Sequence, residues 1–200
     1  MNLRSLGLFI LAFASLSFGQ TQSRHYAGPH LLGPYDLEGH MPVDSMFNLL
    51  NVVPTSDSPI CFRSTDGTYM WMERMGMETA EQRRFVGRLL LSIFPNCVRN
   101  PVHLTREAVG KWKTKEGIGL GSAKQSIITN YGKPSEDNRI KGDSYLGIIV
   151  GGFQSSKFTV KPKPDIGDEV LEYTEEGSLL SAEFGMRRGI VVWLEISKNE

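Results

Sequence analysis

The stretch Gly117-Ile-Gly-Leu-Gly-Ser-Ala-Lys-Gln-Ser-Ile-Ile-Thr-Asn-Tyr-Gly-Lys-Pro134 reads as a strand-like lead, a short helix and a hard stop. Glycines alternate with Ile118 and Leu120. Ser122 is the expected N-cap, because its hydroxyl accepts from the free N–H groups of a first helical turn. Ile127, Ile128 and Tyr131 recur at three- and four-residue spacing and so share one helical face. Gly132 suits the backbone that ends a helix, and Pro134 cannot continue one. The motif holds no reactive group, so it is architectural. It predicts an α+β fold in which short helices pack on an antiparallel sheet.

Downstream, strands are expected around Arg139-Ile140, at Tyr145-Leu-Gly-Ile-Ile-Val150, at 157–160, at 170–173, at 178–184 and at 190–196. Glu175-Glu-Gly177 and Met186-Arg-Arg-Gly189 supply turns. Upstream, Asp44 or Ser45 is expected to cap a helix carrying Met46, Phe47, Leu49, Leu50 and Val53, which Pro54 ends. Ile60-Cys-Phe62 and Tyr69-Met-Trp-Met72 flank Thr65-Asp-Gly-Thr68, a turn with glycine where positive φ is needed. Residues 85–94 suit a buried strand or a short helix, and Gly87 favours the strand. The chain thus divides into a signal segment 1–19, an extended leader 20–42, a first α+β unit 43–99, a connector 100–116 with a helical turn from Thr105 to Trp112, and a second unit 117–200.

Arg4 followed by the apolar run 6–18 has the form of a secretory signal. Ser17 and Gly19 place small residues before a cut ahead of Gln20. No cysteine follows the run, which disfavours a lipid anchor, and no later segment is long enough to span a membrane. A secreted or periplasmic protein is expected. Export also bears on the only two cysteines, Cys61 and Cys97. An oxidising compartment favours joining them, which stabilises by about 3–4 kcal/mol on the chain-entropy model, and two buried free thiols are the alternative.

The halves echo each other. Phe47-Asn-Leu-Leu-Asn-Val-Val-Pro54 lies on Ser126-Ile-Ile-Thr-Asn-Tyr-Gly-Lys-Pro134. Thr65-Asp-Gly-Thr-Tyr-Met-Trp-Met-Glu73 lies on Glu175-Glu-Gly-Ser-Leu-Leu-Ser-Ala-Glu183. Leu89 and Leu91 fall on Leu194 and Ile196. Two such units are each too small for a comfortable core and would pack together.

Residues 117–134, with Tyr-Gly-Lys-Pro, and residues 170–197, ending in Gly-Ile-Val-Val-Trp-Leu-Glu-Ile, resemble the small exported domains related to the outer-membrane assembly lipoprotein BamE and to beta-lactamase inhibitory protein. The resemblance implies helices on an antiparallel sheet, sometimes in tandem, working by protein binding without catalysis. The lipobox cysteine of the anchored members has no counterpart here, and no inhibitor contact residue is matched.

The chain is formally neutral, with 22 basic and 22 acidic side chains, and Lys111-Trp-Lys-Thr-Lys115 is its densest basic patch. Nucleic acid is a poor fit to that balance. Gly117-Ile-Gly-Leu-Gly121 lacks the later glycine and the preceding apolar strand of a dinucleotide loop. Gly142-Asp-Ser-Tyr-Leu-Gly147 misses the spacing of a nucleophile elbow. His25, His30 and His40 lie in the leader at spacings unlike known metal sites, and His103 stands alone beside Leu104. No catalytic residue, cofactor or metal ligand is assigned. Trp71 and Trp193, each on a proposed strand, are core by default, or a flat binding platform if they face outward. The expected function is a non-catalytic protein-binding or envelope-scaffold module. The alternative is an exported hydrolase whose site is scattered in sequence.

One measurement tests both the export and the cysteine expectations. The intact mass of the native, non-reduced protein should match a chain starting at Gln20 and gain two hydrogens on reduction. A mass retaining residues 1–19 contradicts the first, and an unchanged mass on reduction contradicts the second.

Overall fold

The computed structural model describes residues 28–55, 59–75, 84–95, 102–139, 167–174 and 179–198. Over these described residues it is an α+β structure with a small hairpin, β1 (Leu31–Leu32) and β2 (Tyr35–Asp36), and two short helices, α1 (Val43–Leu50) and α2 (Lys124–Tyr131). A mixed eight-stranded sheet carries the rest. Its strands are β3 (Ile60–Ser64), β4 (Tyr69–Arg74), β5 (Val86–Ser92), β6 (Val102–Thr105), β7 (Glu136–Arg139), β8 (Glu169–Thr174), β9 (Leu180–Arg187) and β10 (Ile190–Lys198). Their order is β6-β3-β4-β5-β10-β9-β8-β7.

The last strand of each half meets at the sheet centre, where β5 and β10 pair antiparallel with Leu91 opposite Leu194 and Leu89 opposite Ile196. On either side runs an antiparallel meander, β4 and β3 on one flank, β9 and β8 on the other. Following the register outward from Leu89 and Leu194 places Met72 with Phe184, Ile60 with Leu171 and Phe62 with Tyr173. The sequence alignment laid Met72 on Ala182, two residues away. Side-chain alternation of period two preserves the face despite that slip, but the cross-strand neighbours change.

Helix packing repeats as well. Phe47 of α1 meets Phe62 edge-on with centroids 6.1 Å apart. Tyr131 of α2 meets Tyr173, the counterpart of Phe62, at 5.8 Å and stacks on Phe184 at 6.0 Å. With Leu89, Leu91, Leu194 and Ile196 these form one core between the helices and the sheet. The two sheet ends differ. β6 runs parallel to β3, whereas β7 runs antiparallel to β8.

Four local expectations are corrected. Ser122 is not the cap of α2, which has Ala123 there with no side-chain cap bond. The glycine-rich lead is held against β10, with Gly121 N–H donating to Val191 O and Val191 N–H to Ser122 O. The Ser122 hydroxyl instead accepts from Gly119 N–H. Neither Asp44 nor Ser45 caps α1, because the helix begins at Val43 and puts both inside its first turn. Residues 102–105, expected in a connector, form strand β6, followed by a 3-10 turn at Val109–Lys111 in place of a longer helical turn. The leader, which shows no apolar period, carries the β1–β2 hairpin and buries Leu32, Tyr35 and Leu37 in the core. Residues 1–19, Cys97, the expected strands at 145–150 and 157–160 and the turn at 175–177 lie outside the described residues.

Leu194 is fully buried at the central pairing. Leu194→Ala should therefore cost about 2–5 kcal/mol in denaturant unfolding, through lost transfer energy and a cavity. A loss near zero would place it outside the shared core.

Candidate functional site

The sheet face turned away from the helices gathers buried aromatic and ionisable side chains. Directly opposed residues of neighbouring strands share a face. Along one row Val102, Cys61, Trp71 and Leu90 cross β6, β3, β4 and β5. The same row continues as Glu195, Glu183, Glu172 and Glu136 across β10, β9, β8 and β7. Half of the row is apolar and half is a ladder of carboxylates.

Cys61, Trp71, Leu90, Val170, Val192 and Trp193 pack as a second cluster on this face. Trp71 is 6% exposed and Trp193 2%, so both rings are covered and neither stands open as a flat platform. Trp193 lies across Gly185, its direct partner on β9, where an added Cβ would come within 1.8 Å of the indole nitrogen. Glycine there is a requirement of the tryptophan's position. Cys61 is buried in the same cluster.

Arg88 on β5 meets the ladder. Its Nε lies 3.1 Å from Glu195 Oε1 and its Nη1 3.4 Å from Glu73 Oε2. Its guanidinium carbon is 5.9 Å from the centre of a Trp71 ring. Burial, together with the neighbouring Glu195 and Glu172, pushes Glu183 up to about 8, with Arg88 opposing. Glu195 is pushed up to about 7 by burial, against the pull of Arg88 and with a further push from Glu73. Burial and Glu136 raise Glu172, and burial raises Glu73 against Arg88. Like charges directly opposite each other on a sheet repel, and retained protons relieve that repulsion. A carboxyl pair titrating near neutrality is able to donate and accept protons.

A groove opens elsewhere, at the β9–β10 turn, lined by Gly167, Asp168, Arg187, Arg188, Ile190 and Val192. The Asp168 carboxylate accepts from Arg188 N–H at 3.0 Å and so holds the turn. The Arg187 guanidinium lies over Phe94 at 5.4 Å. Lys124 ties α2 to β7 and β8 through Asp137 at 2.9 Å and Glu169 at 2.7 Å. The described histidines are dispersed. His30 lies 3.1 Å from Glu38, His40 3.0 Å from the Lys198 ammonium, and His103 packs beside Phe62. Among the described residues no group of three or more His, Cys, Asp or Glu is placed to hold a metal ion, and no helix is long and apolar enough to cross a membrane.

Sequence reasoning missed the ladder, because its members come from four strands spread between residues 136 and 195. The available signal was a glutamate amid apolar residues within β8 and β10. No protein-family model matches the chain, and no curated protein or solved structure does.

The raised carboxyls couple stability to pH. Unfolded glutamate titrates near 4.5 and folded Glu183 near 8. Between those values the folded chain binds more protons, so this stabilisation is complete below the lower value and is lost as pH rises through the upper one. The melting temperature should fall from about pH 5 to about pH 8.5, and Glu183→Gln should flatten that fall. Calorimetry showing the same slope in the variant would contradict it.

Proposed function

We propose that this protein is an exported, non-catalytic module that binds another polypeptide or serves as envelope scaffold, and that it makes contact through strand β6. The observation that carries the proposal is the open edge. Among the described residues β6 pairs with β3 alone, and Val102 and Leu104 stand 41% and 75% exposed. An edge strand presents unpaired N–H and C=O groups, and proteins commonly guard such edges with charge, proline or a bulge. Val102-His-Leu-Thr105 itself has none of the three, and its guards are its four-residue length and the Pro101 just before it in sequence. An added strand would take up the backbone groups and bury the two apolar side chains. The resemblance of 117–134 and 170–197 to exported binding domains points the same way.

A second reading, an exported hydrolase, is favoured by one observation, the Glu183–Glu195 pair with both carboxyls raised toward neutrality. It requires turnover that Glu195→Gln removes while the fold survives.

The binding reading is tested by capture. Immobilised mature protein should retain a polypeptide from envelope extract, and Leu104→Lys should reduce retention at least about tenfold, a loss of roughly 1.4 kcal/mol. Equal retention by the variant would defeat it.

A further inference from the structure

We infer that β6 pairs with β6 of a second copy of this chain across a two-fold axis, joining two sheets edge to edge. This rests on the binding-edge reading above and names the occupant. Val102 and Leu104 point to one face, because strand side chains alternate. His103 lies between them on the helix side, its ring centre 5.9 Å from that of Phe62. The exposed face of the strand is therefore apolar read in either direction about His103. An antiparallel copy centred there sets Val102 opposite Leu104 of the second copy, and Leu104 opposite Val102 of the second copy. Apolar meets apolar at both places, as a self-complementary interface requires.

Charge supports the same occupant. β6 itself has no charged side chain, so no two charges lie directly opposite each other within the strand pair, whereas β7 at the far end of the sheet carries Glu136, Asp137 and Arg139. The Thr105 hydroxyl donates to Leu50 O at 2.7 Å and ties the end of α1 to β6. Leu49 and Val53, 39% and 81% exposed, flank that tie. A strand pair this short buries less than a standard interface, so the dimer should be weak, with Kd on the order of micromolar.

Sedimentation of the mature protein between about 1 and 100 µM should show a dimer fraction that rises with concentration. Leu104→Lys should stay monomeric, with a melting temperature unchanged from the wild type at concentrations where both are monomeric, since the side chain it replaces is exposed. The double variant Val102→Lys with Leu104→Glu should dimerise again, because each lysine then faces a glutamate across the axis. Leu179→Lys, a comparable change at a residue 50% exposed just before β9, should dimerise like the wild type. A wild type that is monomeric throughout, a Leu104→Lys variant that dimerises normally, or a double variant that fails to recover would each overturn the inference. If the wild type is monomeric yet Leu104→Lys still loses envelope capture, the second copy is excluded and the binding edge stands. If capture is also unaffected, both fall.

Discussion

The antiparallel pairing of β5 with β10 is the contact on which the rest of the structure depends. It joins the last strands of the two halves and sets their mutual register, with Leu91 opposite Leu194 and Leu89 opposite Ile196. Because side chains alternate, that register puts all four under the helices. A slip of one residue would turn all four to the other face and bring Leu90 and Glu195 under the helices in their place. The aromatic contacts of α1 and α2 follow from the same alignment, since Phe62 and Tyr173 occupy equivalent places on the flanking meanders.

The cost of that register falls on the opposite face. Once Leu194 and Ile196 point inward, Glu195 must point outward beside Glu183, and Glu172 and Glu136 complete the line. Direct opposition of like charges destabilises a sheet, and here it is offset by Arg88, braced between Glu73 and Glu195, and by carboxyls that keep their protons near neutrality. The apolar end of the same row closes differently, with the tryptophans covered and Gly185 leaving room for Trp193.

The two ends of the sheet are unlike. Strand β6 enters parallel to β3 after the meander has closed, and it takes a place that antiparallel β7 takes on the other side. This departure from two-fold likeness produces an uncharged, apolar edge on one side only. The proposed binding edge therefore belongs to the half with β6.

By itself the sequence determined the fold class and the main strand and helix positions, because these depend on short-range patterns. Short apolar runs bounded by turn residues marked 60–62, 69–72, 170–173 and 190–196, the spacing of Ile127 and Tyr131 marked α2, and Gly132 with Pro134 marked its end. The correspondence of Leu89 and Leu91 with Leu194 and Ile196 was also legible, since Val86, Leu89, Leu91 and Ser92 keep the spacing of Val191, Leu194, Ile196 and Ser197. Only the tertiary structure decided the rest. The Ser122 hydroxyl turned to Gly119 because β10 holds the neighbouring backbone extended. The leader entered the core and Val102-His-Leu-Thr105 became an edge strand through long-range pairing, of which their own short patterns carry no trace. The carboxylate ladder arises from register alone. Its glutamates are distant in sequence, and the physical property that distinguishes them, like charge held at direct opposition in a buried place, exists only once the strands are aligned.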